Sequence, residues 1–412
     1  MKTVIKKVNI LSLNIAILCG TILFLFLGCN LIPNKNSKNI NKVIEFVVIE
    51  TPNLGDQSQS LGIINALHEK NISLPKAKRF HIKKKVIKFK DLLAKNYSFS
   101  TWKTQQKNKI EILILTGNEG LEVLNNVDVK KIYSHSLWLG HSFHSSLKNL
   151  KFYPHWIFIP KTSIKSEEFN FINQHTNLVT LDGVCHQLTE MNLKKSVLQY
   201  SRKNPSLNID DNTVGIILGG DSIDENGKPL LFTPNDARQL AKRIVLTEGK
   251  NKKFLITNNH RTGITNYKTK KLLKNDPHNS NKIDKVSKSF IEQMKALNVD
   301  YKFFDFQRKK GSSVYTSFIN GFRKSGKLHI CGDSTSIIAE TSDFMHVIVN
   351  EIPSMNQTHY RFSNYNFKLG KVDLLKTDGK IYLNNKPNHL RMQASLASHK
   401  AANIILNKVS FR

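Results

Sequence analysis

The chain has 412 residues, 40% of them hydrophobic, and its 62 Lys and Arg against 31 Asp and Glu give a formal charge of +31. This length predicts two or three domains with full cores. The sequence shows no zinc-finger, helix-turn-helix or RNA-recognition pattern, which argues against a nucleic-acid partner. The basic excess instead predicts an anionic membrane surface or a glycolipid as partner. Charge runs such as residues 76–90 are also compatible with an ordinary solvated face.

The first 30 residues combine a basic start with an apolar stretch, Ile15 to Cys29. This pattern is typical of a signal peptide or a short membrane anchor. The sequence FLGC at 26–29 resembles a bacterial lipoprotein cleavage box, in which Cys29 would be lipidated; an uncleaved anchor is the alternative. A polar linker, 31–42, follows. We expect an inner-membrane protein with a cytoplasmic-facing body, or alternatively a periplasmic lipoprotein.

The segment after the linker alternates strand and helix patterns. An apolar strand at 43–50 is followed by a Gly-containing loop and a helix, and further strands are predicted at 109–117, 155–160 and 177–183. This alternation predicts an α/β domain with a parallel sheet. A polar stretch with a proline, 200–212, ends the first domain, which we place at 43–200.

The same pattern restarts after the break and predicts a second α/β domain, 201–389, followed by a C-terminal helix segment, 390–412. A strand at 213–220 ends in Gly-Gly, and Thr233 and Pro234 begin a helix at 233–250. The remaining predicted elements are strands at 252–259, 299–306, 327–332 and 346–351 and helices at 287–298 and 390–409. Ligands of such sheets bind at the carboxyl ends of the strands.

The stretch CGDSTSIIAE, 331–340, places a glycine turn and capping hydroxyls between a strand and a helix. A helix N-terminus with such residues is a ready anion site. Glu340 would follow about one turn later, on the same side as Ser336, where its carboxylate could accept hydrogen bonds from a ribose diol. An ordinary capped helix is the alternative.

Five sequence blocks occur in an order that resembles a known family: NLGDQSQSLGI, GVCHQLTE, ILGGDS, LITNNHRTG and ICGDSTSIIAE. They resemble the bacterial glycosyltransferase-like proteins related to the plant mitochondrial-fission factor called "elongated mitochondria". The resemblance implies a GT-B-like architecture, with two Rossmann-like domains facing a cleft and a C-terminal helix that crosses back. It also implies a nucleotide-sugar donor bound by the C-terminal half. The chain departs from the family pattern at 260–263 and in the basic stretch GFRKSGK.

A transferase of this type neutralises its leaving nucleoside diphosphate with a helix N-terminus, glycine amides and a basic side chain, and not with a metal. The resemblance and the loop chemistry therefore give a set of candidate donor-binding residues, for which simple turns or surface positions are the alternatives. They are Gly219, Gly220, Arg261, Gly332, Ser334, Ser336 and Glu340.

The acceptor hydroxyl needs a base, for which Asp56 and His186 are the candidates. A helix cap for Asp56 and a polar loop contact for His186 are the alternatives. The histidines of 134–144 lack a metal-ligand spacing, and the four cysteines have no CxxC pair, so we expect no metal and no disulfide framework. No cofactor is expected beyond the donor substrate.

These features predict a metal-independent glycosyltransferase that moves a sugar from a nucleotide sugar to a membrane or cell-envelope glycan. Because the plant relative acts by recruiting a partner protein, the alternative is a non-catalytic membrane-associated adaptor that retains the fold.

Overall fold

The computed structural model describes residues 43–51, 54–76, 79–89, 109–141, 143, 145–202, 207–224, 227–280, 282–308, 314–385 and 395–409. The predicted signal or anchor segment, the linker and Cys29 lie outside the described residues. Within the described part, no helix combines the length and the apolar character needed to cross a membrane.

The first half forms a parallel sheet of six strands in the order β2-β1-β3-β4-β5-β6. Since β1 lies between β2 and β3, the strand order reverses between β1 and β3, where such folds bind ligands. The strands are β1 (Val43–Glu50), β2 (His81–Lys88), β3 (Lys109–Thr116), β4 (His135–Leu139), β5 (Trp156–Pro160) and β6 (Asn177–Leu181). The helices are α1 (Leu54–Ser73), α2 (Gly117–Asn126), α3 (Val129–Ile132) and α4 (Ser166–Asn173), with 3-10 turns at Ser145–Asn149 and Lys161–Ser163.

Among its described residues, the second half forms seven helices and eleven strands. The helices are α5 (Glu190–Ser201), α6 (Pro234–Glu248), α7 (Lys285–Ala296), α8 (Tyr315–Phe322), α9 (Thr335–Ser342), α10 (Gln357–Lys368) and α11 (Leu396–Val409), with a 3-10 turn at Pro277–Asn279. The strands are β7 (Thr213–Ile217), β8 (Ser222–Ile223), β9 (Pro229–Leu230), β10 (Lys253–Thr257), β11 (Thr265–Asn266), β12 (Lys271–Leu272), β13 (Asp300–Phe304), β14 (Lys327–Cys331), β15 (Val347–Asn350), β16 (Val372–Leu375) and β17 (Ile381–Tyr382).

Seven of these strands form the second sheet, in the order β13-β10-β7-β14-β15-β16-β17. All neighbours are parallel except β17. Counted from β7, the first six follow the 3-2-1-4-5-6 order of dinucleotide-binding folds, and the order reverses between β7 and β14. The predicted α/β class with parallel, Rossmann-like sheets is confirmed.

Local sequence explains where the helices begin. At α6, Thr233 accepts the amide of Asp236, and the Asp236 carboxylate accepts the Thr233 amide, which satisfies two donors of the first turn. Pro234 occupies the first position, where its missing N–H costs nothing, and Gly249 ends the helix at φ 93°. The sequence prediction for this helix is therefore correct within two residues.

Two elements connect the halves. Helix α5 follows the first sheet in the chain but packs against α8 of the second half. Helix α11 follows the second sheet and returns to pack on α1, with Ala401, Ala402 and Ile405 buried in the core of the first sheet. The two halves are therefore joined by two crossings of the chain.

The basic run at 76–90 contains β2, which sequence analysis did not predict. The alternation of apolar and polar residues expected of a strand is hidden by lysines, because β2 is an edge strand and most of its side chains are exposed. Lysine on an edge strand discourages pairing with another chain.

Candidate functional site

A cavity of about 370 Å³ lies between the two halves, at the carboxyl ends of β1, β4, β7, β10 and β14. Three segments supply most of its wall: residues 55–58 at the start of α1, 257–261 after β10, and 333–337 at the start of α9. His141, Gln187, Leu188, Ile217, Phe306, Tyr315, Thr316, Glu340 and His359 complete the lining. Both sheets thus contribute to one site at the positions where α/β sheets bind ligands.

The N-terminus of α9 opens into this cavity. Ser334 caps the helix by accepting the amide of Ile337 at 3.3 Å. The amides of Thr335 and Ser336 lie in the first turn and have no hydrogen-bond acceptor within the helix. Both residues line the cavity together with Ser334. These amides, the Ser336 hydroxyl and the positive end of the helix dipole form an anion-binding surface.

Gly332 is positioned differently from the prediction. Its amide donates to the carbonyl of Asn350 at 3.0 Å, so it is part of the strand pairing. A Cβ at this position would lie 2.6 Å from the sulfur of Met355. Gly332 therefore lets β14 pack against a neighbouring loop, and it is not part of the cavity wall.

Glu340 lines the cavity one turn beyond the helix start, and hydroxyl groups from both halves hold its carboxylate. Ser58 of α1 donates to Oε1 at 3.0 Å, and Tyr315 of α8 donates to Oε2 at 2.7 Å. Burial and the charge of Glu340 raise the pKa of Tyr315 well above its ordinary value, so the phenol remains a donor. Each carboxylate oxygen retains a second lone pair for a ligand.

Asp333 organises the loops behind the site. Its Oδ2 accepts the amide of Gly220 at 3.0 Å and the guanidinium of Arg261 at 2.9 Å. Burial raises the pKa of Asp333, and the charge of Arg261 opposes this rise. Arg261 also donates to the carbonyl of Asp221 at 3.2 Å. Arg261, the predicted phosphate ligand, thus lines the cavity, but some of its guanidinium N–H donors already bind protein oxygens.

Gly219 and Gly220 lie behind the cavity wall. A Cβ on Gly219 would lie 2.3 Å from Oδ1 of Asp333, and one on Gly220 would lie 2.6 Å from the backbone of Arg261. The two glycines allow close approach between loops of the protein, where sequence analysis expected close approach to a phosphate.

Asp56 and His141 form a pair on the first half's side of the cavity. Asp56 lies in the first turn of α1 with only 3% of its surface exposed. Its Oδ1 accepts from the side chain of Gln59 at 3.2 Å and lies 3.8 Å from Nδ1 of His141. His141 follows the end of β4 and is the more exposed partner. A carboxylate beside an imidazole is an arrangement that can accept a proton and stabilise the resulting charge.

His359 is a neutral imidazole in the cavity wall. Its Nδ1 accepts the amide of Asn356 at 3.1 Å, which places the ring proton on Nε2. Burial, followed by the charges of Arg261 and His141, lowers the pKa of His359 to about 3. His359 can therefore offer one N–H donor to a ligand at neutral pH.

His186 does not lie at the cavity, in contrast to its predicted role as a base. Its side chain is buried, and Nε2 lies 3.1 Å from Asp343, which also pairs with Lys371 at 2.7 Å. The backbone of His186 exchanges two hydrogen bonds with the Ser398 hydroxyl of α11. The structure gives this residue a position at the junction of the two halves.

His278, Asp284 and Asp305 form the one group among the described residues with metal-ligand proximity. Both ring nitrogens of His278 face carbonyl oxygens, those of Phe306 at 3.2 Å and Thr262 at 2.9 Å. Neither nitrogen is free to ligate a metal, so this group is better described as a polar core cluster.

No family model matches the chain, and no curated protein matches it significantly. Among solved structures, similar chains include a UDP-GlcNAc 2-epimerase from Methanocaldococcus jannaschii (13% identity, TM-score 0.47, 89% of this chain and 99% of the other). Others are a UGT transferase from Siraitia grosvenorii in complex with UDP (11%, 0.44, 88% and 90%) and a UDP-forming trehalose-phosphate synthase from Burkholderia vietnamiensis (7%, 0.38, 90% and 94%).

Four residues of the site were not predicted from the sequence: His141, which was considered only as a metal ligand, and His359, Tyr315 and Ser58. His141 could have been found, because it stands two residues after the apolar stretch SLWL, at a strand's carboxyl end. The other three become neighbours of the site only through tertiary packing.

Proposed function

We propose that the protein is a metal-independent glycosyltransferase that transfers a sugar from a nucleotide sugar to a membrane or cell-envelope glycan. The observation that carries the proposal is the composition of one cavity wall: the open amides of Thr335 and Ser336, the hydroxyls of Ser334 and Ser336, and the carboxylate of Glu340. Amides at a helix start suit a diphosphate, and a carboxylate one turn further suits the two hydroxyls of a ribose.

The Asp56–His141 pair supplies the base in this proposal. His141 takes the proton of the acceptor hydroxyl through the ring nitrogen that does not face Asp56, and the carboxylate stabilises the imidazolium that forms. The leaving diphosphate is stabilised by the α9 dipole and its amides, without a metal. Neutral His359 adds one donor to the same space.

Calorimetric titration with nucleoside diphosphates tests the donor site. Loss of a charge-assisted hydrogen bond costs about 1.5–3 kcal/mol, so Glu340→Ala should weaken binding by about 10- to 150-fold. Glu340→Gln should be milder because its amide oxygen still accepts one bond. Glu340→Ala also removes one hydrogen-bond acceptor of Tyr315 and of Ser58, so Tyr315→Phe serves as the control for that loss. Equal affinity of wild type and Glu340→Ala would refute the ribose assignment.

The second candidate function is a membrane-associated adaptor without catalysis. Hydrogen bonds within the protein favour it, because two predicted donor ligands already have protein partners. Arg261 is bound to Asp333, and Glu340 is bound to Ser58 and Tyr315. Donor hydrolysis assays with UDP-, GDP-, CMP- and ADP-linked sugars separate the two candidates. The adaptor predicts no turnover and unchanged cellular function in Glu340→Ala; the transferase predicts turnover that this variant loses.

A further inference from the structure

The connection from β10 to α7 is far longer than its position in the fold requires. It runs from Asn258 to Asp284, whereas connections in α/β units usually span about two to six residues. Its first residues line the cavity, and its middle forms the separate hairpin β11–β12. Long connections in compact domains usually carry a function, and neither the donor site nor the base uses this hairpin.

The hairpin has a defined backbone. Asn266 accepts the amides of Lys268 and Thr269 through its side chain, and Lys270 adopts a left-handed φ of 56° to close the turn. Leu273 returns to the sheet side by donating its amide to the carbonyl of Ile264 at 2.8 Å. The tip is therefore presented in one orientation.

The root of the hairpin is fixed to the edge of the cavity. The imidazole of His278 reaches the carbonyls of Thr262 and Phe306 from its two nitrogens. Arg308 pairs with Asp276 at 2.6 Å and donates to the carbonyl of His260 at 3.1 Å. Since His260 and Phe306 line the cavity, the root of the hairpin lies next to the cavity wall.

The tip exposes large apolar side chains. Leu272 is 72% exposed, and Leu273 and Tyr267 are 38% and 37% exposed. Ile283, at the end of the same connection, is also exposed. Single exposed apolar residues are common, but a local group of them marks a contact surface.

Lysines flank these apolar residues in the sequence. Lys268, Lys270, Lys271 and Lys274 are exposed, and within the described part of the chain none of the four forms an ion pair. The ammonium of Lys285 lies 6.0 Å from the centre of the Tyr267 ring, which brings the start of α7 to the same face. The charge of this surface is strongly positive.

We propose that the hairpin, residues 264–274, is a docking element for an anionic lipid bilayer. Leucine and tyrosine enter the boundary between headgroups and acyl chains, and the lysines bind the headgroups; this combination is typical of interfacial membrane contacts. A nucleic-acid surface would have no use for exposed leucines. An acidic protein with an apolar patch would suit the same side chains, but the N-terminal apolar segment favours a bilayer, and vesicle binding separates the two. The apolar start of the sequence would hold the body near a membrane. The proposal does not depend on the donor site.

The test places tryptophan at the tip of the full-length protein. Leu272→Trp is compared with Leu246→Trp, since Leu246 is 83% exposed on α6 and also has lysines four residues away on both sides. Each variant is reconstituted with phosphatidylcholine vesicles containing phosphatidylserine and brominated lipid, and wild type gives the background fluorescence. We expect quenching and a blue shift for Leu272→Trp only. Equal quenching at both positions, or none at position 272, would overturn the proposal.

The charge requirement is tested in the same variant with Lys268→Gln, Lys271→Gln and Lys274→Gln. Each lysine at an anionic surface is worth about fivefold in affinity, so the three changes should weaken the hairpin contact on the order of 100-fold. Vesicles of phosphatidylcholine alone should give little quenching. If single-stranded RNA shifts the Leu272→Trp emission and anionic vesicles do not, the surface binds nucleic acid and the lipid proposal is wrong.

Discussion

Asp333 lies at the carboxyl end of β14 and connects three loops through one carboxylate. It holds the amide of Gly220 and the guanidinium of Arg261, and it immediately precedes the cap of α9. Because the carboxylate is buried, its charge must be compensated by protein groups, among which are these neighbours. Asp333 thus holds the start of α9 in position through the contacts of its Oδ2 with the loops of Gly220 and Arg261.

Gly220→Ala tests whether this loop contact requires glycine. The new Cβ would lie 2.6 Å from the Arg261 backbone, which cannot move aside as a flexible side chain would. Overpacking of this kind costs about 1–3 kcal/mol of unfolding free energy, measured by urea denaturation. Gly183→Ala is the matched control, because its Cβ would have its nearest contact at 3.9 Å. Equal stability of the two variants would show that the Gly220 loop is looser than described.

At the scale of elements, the starts of α9 and α10 bring different chemistry to the cavity. Helix α9 offers free amides, whereas α10 offers His359, whose Nδ1 closes a capping box with Asn356. The first suits negative charge on a ligand. The second supplies a neutral donor, because the pKa of His359 is lowered to about 3 by burial and by the charges of Arg261 and His141.

The lowered pKa of His359 predicts a loss of stability in mild acid. Above pH 6.5 the ring is neutral in both states. Between pH 6.5 and the folded pKa of about 3, the unfolded chain binds a proton that the folded protein excludes, so stability falls as pH falls. The slope is about 1.4 kcal/mol per pH unit. Urea unfolding at several pH values should show a shallower slope for His359→Gln than for wild type. An unchanged slope would contradict the assignment.

The elements of the site divide into those that sequence could predict and those it could not. The α9 start was predictable because a strand, Gly332 and Ser334 follow one another locally. The role of Gly332 could not be predicted, since its amide donates to the carbonyl of Asn350 on a neighbouring strand. Strand β2 escaped prediction because its exposure follows from its edge position. Tertiary contacts, not local pattern, decided these positions.

For the whole molecule, the junction of the two halves depends on a small buried cluster around His186. Its backbone carbonyl accepts the Ser398 hydroxyl of α11, and a Cβ on Gly62 of α1 would lie 2.3 Å from the same oxygen. Its imidazole faces Asp343 at the end of α9. Burial would raise the pKa of Asp343, but His186 and Lys371 outweigh burial and lower it. Three distant segments therefore converge on one residue.

His186→Ala is expected to loosen this junction without altering the ligand cavity. Asp343 would keep Lys371 as its charge partner, so losing the His186 hydrogen bond should cost about 1.5–3 kcal/mol of unfolding free energy. His186→Gln should cost less, because its amide can still donate to the carboxylate. Urea unfolding measures both effects, and calorimetric titration of the folded variants with a nucleoside diphosphate should give the wild-type affinity. The sequence-based role as a base predicts the same donor affinity but a His186→Gln protein of wild-type stability that has lost transfer. Because the imidazole lies away from the cavity and is already paired with Asp343, we expect the first pattern.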